Sequence, residues 1–90
     1  MNKGTEISEL LRKQDFNWHN YGRCQLYSTT TGLRALVNSH TSDATWFIID
    51  ETDNNTFKIT KGIGRNPEVV DQDIPADELS TRLHNAIMNK

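Results

Sequence analysis

Two stretches decide the fold: Ala44-Thr45-Trp46-Phe47-Ile48-Ile49-Asp50 and Thr56-Phe57-Lys58-Ile59-Thr60-Lys61. β-Branched and aromatic residues suit a pleated, half-buried surface, so the first stretch reads as a strand. The second alternates, with Phe57 and Ile59 on one face and Thr56, Lys58 and Thr60 on the other. That is a period of two with one face wet. Between the stretches lies Glu51-Thr52-Asp53-Asn54-Asn55. Asp and Asn tolerate positive φ and hydrogen-bond their own backbone, so this is turn chemistry and the pair reads as a hairpin.

Strand 44–50 is apolar on both faces. Trp46 and Ile48 point one way, Phe47 and Ile49 the other. Such a strand is central in its sheet, with something covering each side. An even number of turn residues puts Trp46 and Ile48 on the face of Phe57 and Ile59; an odd number puts Phe47 and Ile49 there. The sequence leaves that choice open. In either case one apolar pair falls on the face shared by Lys58 and Thr60, where a helix, a loop, another subunit or a ligand must cover it.

Working outward, residues 23–29 read as a strand with Cys24 and Leu26 inward and Gln25 and Tyr27 outward. Residues 33–39 read as its partner, with Leu33, Ala35 and Val37 on one face and Arg34, Leu36 and Asn38 on the other. The turn 29–32 ends on Gly32, which is free to take positive φ. Two consecutive hairpins make a four-stranded antiparallel β-meander. Ile7, Leu10 and Leu11 share a helical face. Thr5 is a candidate cap, with Glu6 and Glu9 near the positive end and Arg12 and Lys13 near the negative end, so a helix is predicted over 6–15. Leu79, Leu83, Ala86 and Ile87 form one stripe behind Pro75, Asp77 and Glu78, which predicts a second helix over 75–89. The expected order is α-β-β-β-β-α, an α+β fold with both helices on one face of the sheet. Residues 1–4 read as a loose end. Residues 66–74 read as an acidic loop, with a short extended piece around Val69 and Val70. The stretch 15–22 is an aromatic loop in which Phe16, Trp18 and Tyr21 tuck over a core edge, although Trp18 beside His19 also suits a groove.

Ninety residues make a single small domain, 1–90. The apolar fraction is 34%, and about 40% with the five Gly, below the usual ~45–50%. A thin core follows, with a stability of about 5 kcal/mol. Seven aromatics and a net charge of −2 keep the chain out of the disordered class. A single cysteine allows no internal disulfide and suits a reducing compartment. No apolar run has signal-peptide length or approaches the ~20 residues of a membrane span, so the chain is expected to be cytoplasmic, away from membranes. The match of Asn54-Asn55-Thr56 to a glycosylation acceptor then reads as chance. Ten basic against 12 acidic residues exclude a dedicated double-stranded DNA binder, and −2 is far too small for a DNA mimic.

No residue set carries obvious chemistry. Cys24 with His19, His40 or His84 suggests a thiol and a base, but a catalytic thiol needs a lowered pKa, and Cys24 falls on an inward strand face where cysteine is an inert small hydrophobe. The same four residues lack the short spacing of a zinc site, and no metal or cofactor is expected. Lys61-Gly62-Ile63-Gly64-Arg65 can present backbone N–H groups to a phosphate, yet Pro67 stands where a dinucleotide fingerprint needs its third glycine. Glu68, Asp71 and Asp73 are read as an acidic contact surface for a basic partner. Lys58, Lys61 and Arg65 are the candidate contacts of a single-stranded nucleic-acid binder that stacks bases on sheet aromatics. The leading expectation is a non-enzymatic protein-interaction module, an adaptor, inhibitor or small regulatory protein. Its apolar sheet face is drawn from Tyr27, Leu36, Trp46 and Phe47, and its partner is another protein or a second copy of the chain.

Overall fold

The computed structural model describes residues 2–52, 55–62 and 66–89. The order is α1 (Lys3–Lys13), a 3-10 turn (Trp18–Tyr21), β1 (Cys24–Ser28), β2 (Gly32–Val37), β3 (Thr45–Glu51), β4 (Thr56–Lys61), β5 (Glu68–Pro75), a second 3-10 turn (Ala76–Glu78) and α2 (Leu79–Met88). The strands form one antiparallel meander in sequence order, β1-β2-β3-β4-β5. The class is α+β, as expected, but the sheet has five strands and not four. The expected acidic loop 66–74 is where the extra strand lies.

The central hairpin resolves the open choice of face. Ile49 pairs with Ile59 and Glu51 with Phe57, and the backbone N–H of Thr52 donates to Thr56 O at 2.7 Å. Thr52 therefore stands opposite Thr56, an odd number of residues separates them in sequence, and Asn55 takes φ 58° as turn chemistry allows, while Asp53 and Asn54 of the expected turn lie outside the described residues. The odd count puts Phe47 and Ile49 with Phe57 and Ile59. This face continues through Leu33, Ala35 and Val37 on β2 and Ile74 on β5. Ile7 and Leu11 of α1 and Leu79 and Leu83 of α2 pack on it in one core cluster, so both helices lie on one face. Full burial of each such Leu or Ile contributes about 1.5–3 kcal/mol. Gln14 ties the helices together. Its Nε2 donates to Ala76 O at 2.6 Å, and its Oε1 accepts from the Ser80 N–H at 3.0 Å.

Several boundaries move for identifiable reasons. α1 begins at Lys3 because Asn2, not Thr5, is the cap: Asn2 Oδ1 accepts from Thr5 N–H at 2.8 Å and from Thr5 Oγ1 at 2.7 Å. Residues Asn2–Gly4 are thus part of the helix start and not a loose end. Gly4 is needed there. A Cβ would stand 2.6 Å from Ser28 Cα and 2.7 Å from Thr29 N, so only glycine lets α1 sit on the β1–β2 turn. α1 ends at Lys13, before Asp15 turns to φ 62°. Gly32 is not the positive-φ turn residue expected. It opens β2, where a Cβ would meet the Ile49 carbonyl group and the Asp50 carboxylate, so it serves close approach. Pro75 is extended, φ −67° and ψ 152°, and closes β5 instead of opening a helix; α2 proper begins four residues later.

Candidate functional site

With both helices on one side, the other face of the sheet is open. Cross-strand partners share a face, so the register places Gln25 and Tyr27 of β1, Arg34 and Leu36 of β2, Trp46 and Ile48 of β3, Thr60 of β4 and Val69 of β5 together on it. Tyr27 and Val69 are 49% and 47% exposed, while Leu36, Trp46 and Ile48 are half-buried by their neighbours. The Tyr27 and Trp46 rings meet at 5.7 Å between centroids, tilted by 40°, across the intervening β2. The Tyr27 hydroxyl donates to Gln25 Oε1 at 2.9 Å, which turns its polar end along its own strand. An antiparallel sheet can leave one face wet, and such a face is ordinarily polar. This one carries an aromatic pair and three aliphatic side chains, with Arg34, Asp50 and Lys58 around them. Asp50 and Lys58 are cross-strand partners.

Of the four residues expected on one apolar sheet face, three stand on the open side. Tyr27, Leu36 and Trp46 lie together. Phe47 does not: it is 2% exposed and belongs to the core under the helices, because the β3–β4 register fixes its parity. Ile48 takes its place. Val69 was legible only as part of a short extended piece, and its position on this face depends on pairing with Thr60.

The acidic set does not form one surface. Asp71 faces the helices, where Arg82 grips it with two bonds, Nη2 to Oδ1 at 2.6 Å and Nε to Oδ2 at 2.8 Å. The hydrogen bonds from Arg82 hold the Asp71 carboxyl below its ordinary range. Glu68 and Asp73 are exposed, Asp73 at φ 55° where β5 departs from regular register. The basic set is split as well. Lys58 is on the open face, whereas Lys61 has the parity of Phe57 and Ile59 and lines a cleft of about 620 Å³ with Phe47 and Ile87 on the helix side. Arg65, with Ile63 and Gly64 of the glycine loop, lies outside the described residues. Three apart on one strand, Lys58 and Lys61 thus stand on opposite faces of the sheet.

The remaining candidates have structural partners. Phe16 packs edge-on against Trp18 at 4.8 Å and stacks on Tyr21 at 5.4 Å, and all three rest against the core. Tyr21 Oη is 2.6 Å from His84 Nδ1. Cys24 is half-buried, with its Sγ 3.5 Å from Trp18 O. Burial pushes its thiol up from the ordinary value, against the opposing bond from Asn38. That is the reverse of what activates a nucleophile. Among the described residues no three His, Cys, Asp or Glu side chains cluster as metal ligands, and no helix is long and apolar enough to cross a membrane. No protein-family model, curated protein or solved structure matches the chain.

Proposed function

We propose that this protein is a small non-enzymatic protein-interaction module, adaptor, inhibitor or regulator, that acts in the cytoplasm and associates with a second copy of itself through the open sheet face. The observation that carries the reading is the apolar centre of that face, the Tyr27–Trp46 pair flanked by Leu36, Ile48 and Val69. Contiguous exposed apolar surface on a small protein marks an interaction site. A second copy suits it because a two-fold interface must complement itself. The centre is uncharged and the surround carries both signs, Arg34 and Lys58 against Asp50. The free, half-buried thiol suits a reducing compartment.

Light scattering behind a sizing column tests this across protein concentrations. The expected result is a mass twice the 10.3 kDa of the chain, returning to the monomer in Leu36→Asp and Trp46→Asp while the far-ultraviolet circular dichroism stays unchanged. Variants that remain as associated as the parent overturn the open-face interface. A parent that stays monomeric throughout removes the second copy as occupant.

A further inference from the structure

β1 ends the sheet, and its residues Gln25–Ser28 are all exposed. The Thr29 N–H donates to Gly32 O at 2.9 Å. Antiparallel pairs alternate between hydrogen-bonded and non-bonded positions, so Tyr27/Arg34 and Gln25/Leu36 are the bonded pairs in this register. The backbone N–H and C=O of Leu26 and Ser28 consequently point away from β2, off the edge. Edge strands are ordinarily blunted by charge, proline or a bulge. Cys24–Ser28 contains no charge and no proline, and its register with β2 is unbroken. It also presents two adjacent large apolar side chains, Leu26 at 41% exposure and Tyr27 at 49%.

A cleft of about 480 Å³ runs beside this edge on the helix side. Leu11, Phe16, Trp18, Cys24 and Leu26 line it, together with exposed Arg12 and His19. A strand added to β1 would send alternate side chains over this cleft. In strand addition the main-chain bonds supply affinity and pockets for alternate side chains supply specificity. Arg12 and, at the start of the strand, Arg23 are exposed and take part in no ion pair among the described residues.

We propose that β1 is a docking edge for an extended peptide segment of another protein. The segment carries an apolar side chain for the Leu11–Trp18–Leu26 cleft and an acidic residue opposite Arg12 or Arg23. Length favours a peptide over a second copy. The five residues of β1 span only about 17 Å, and one such strand pair between two folded copies falls short of the roughly 1,200 Å² that a stable interface buries. A single extended segment can use the edge and the cleft together. This site is separate from the open face and stands without it.

The probe is a set of fluorescent, N-acetylated octapeptides of alternating valine and threonine with one glutamate moved through the sequence, read by anisotropy. One-to-one saturable binding is expected, strongest for one glutamate position. N-methylation of one alternate set of peptide amides should weaken binding by at least about tenfold, while methylation of the other set is tolerated. Leu26→Pro removes an N–H that β2 does not use and should abolish binding. Leu26→Lys, which keeps every backbone bond, should weaken it by a similar factor, with the amide spectrum of each variant checking its fold. The proposal is overturned if no peptide binds below about 1 mM, if both methylated sets lose equally, or if both Leu26 variants bind like the parent. Concentration-dependent self-association that Leu26→Pro abolishes and Trp46→Asp does not would replace the peptide by a second copy and overturn the stated occupant.

Discussion

β1 and β5 are the two edges of one sheet, and only β5 carries the devices that discourage a new neighbour. Its residues Glu68, Asp71 and Asp73 are acidic, its pairing with β4 shifts register at Ile59 on both sides, and it ends on Pro75. Arg82 of α2 holds it from the helix side through Asp71. β1 has an unbroken ladder, no charge, and an exposed Leu–Tyr pair. The difference extends to packing. β5 sends Ile74 into the core with no exposure, while β1 contributes only half-buried Cys24 and exposed Leu26 on that side. A small sheet can thus fix one edge as part of its stability and leave the other bare, and the difference is readable from charge, register and burial together.

That contrast can be broken by mutation. Ile74→Ala should have the largest effect, a loss of about 2–5 kcal/mol in urea unfolding, whereas Leu26→Ala should lose less than about 1 kcal/mol. Equal losses would mean that β1 is as integral to the core as β5. Gly4→Ala comes next, at about 1–3 kcal/mol, because backbone at Ser28 and Thr29 must move to admit the methyl group. An unchanged midpoint would show that α1 can lift from the β1–β2 turn freely. The Asp71–Arg82 contact should appear in the pH dependence. The folded carboxyl titrates below its unfolded value, so its contribution is complete above about pH 4 and is lost as pH falls through the lower folded value. Arg82→Met should flatten that acid limb; an identical limb in the variant would assign acid sensitivity elsewhere. The smallest effect is expected for Leu26→Lys, within about 0.5 kcal/mol of the parent, with the backbone amide at position 26 exchanging faster than that of Ile59 in both proteins.

Much of this architecture was legible from residue pattern. The period of two in Phe57 and Ile59, and in Leu33, Ala35 and Val37, located β4 and β2 and their buried faces. The stripe at Leu79 and Leu83 located α2. β5 escaped because its register shifts break the alternation that reveals a strand: Asp71 faces the helices on the same side as Ile74, three residues on, and opposite to Val69, only two residues back. The candidate face was legible in Tyr27, Leu36 and Trp46, but not in its choice between Phe47 and Ile48.

The sequence by itself determined the secondary-structure class, the central hairpin, the apolar stripes of both helices and the presence of one surplus apolar pair on β3, because these follow from local periodicity and from the φ preferences of Asn and Gly. Tertiary structure alone decided which pair was surplus, that Asp71 is half of a bidentate contact with a helix residue 11 positions away, and which edge of the sheet is left bare. Each of these depends on the length of one turn or the register of one ladder. A shift of a single residue there exchanges the two faces of a strand while leaving its composition and its local propensity unchanged.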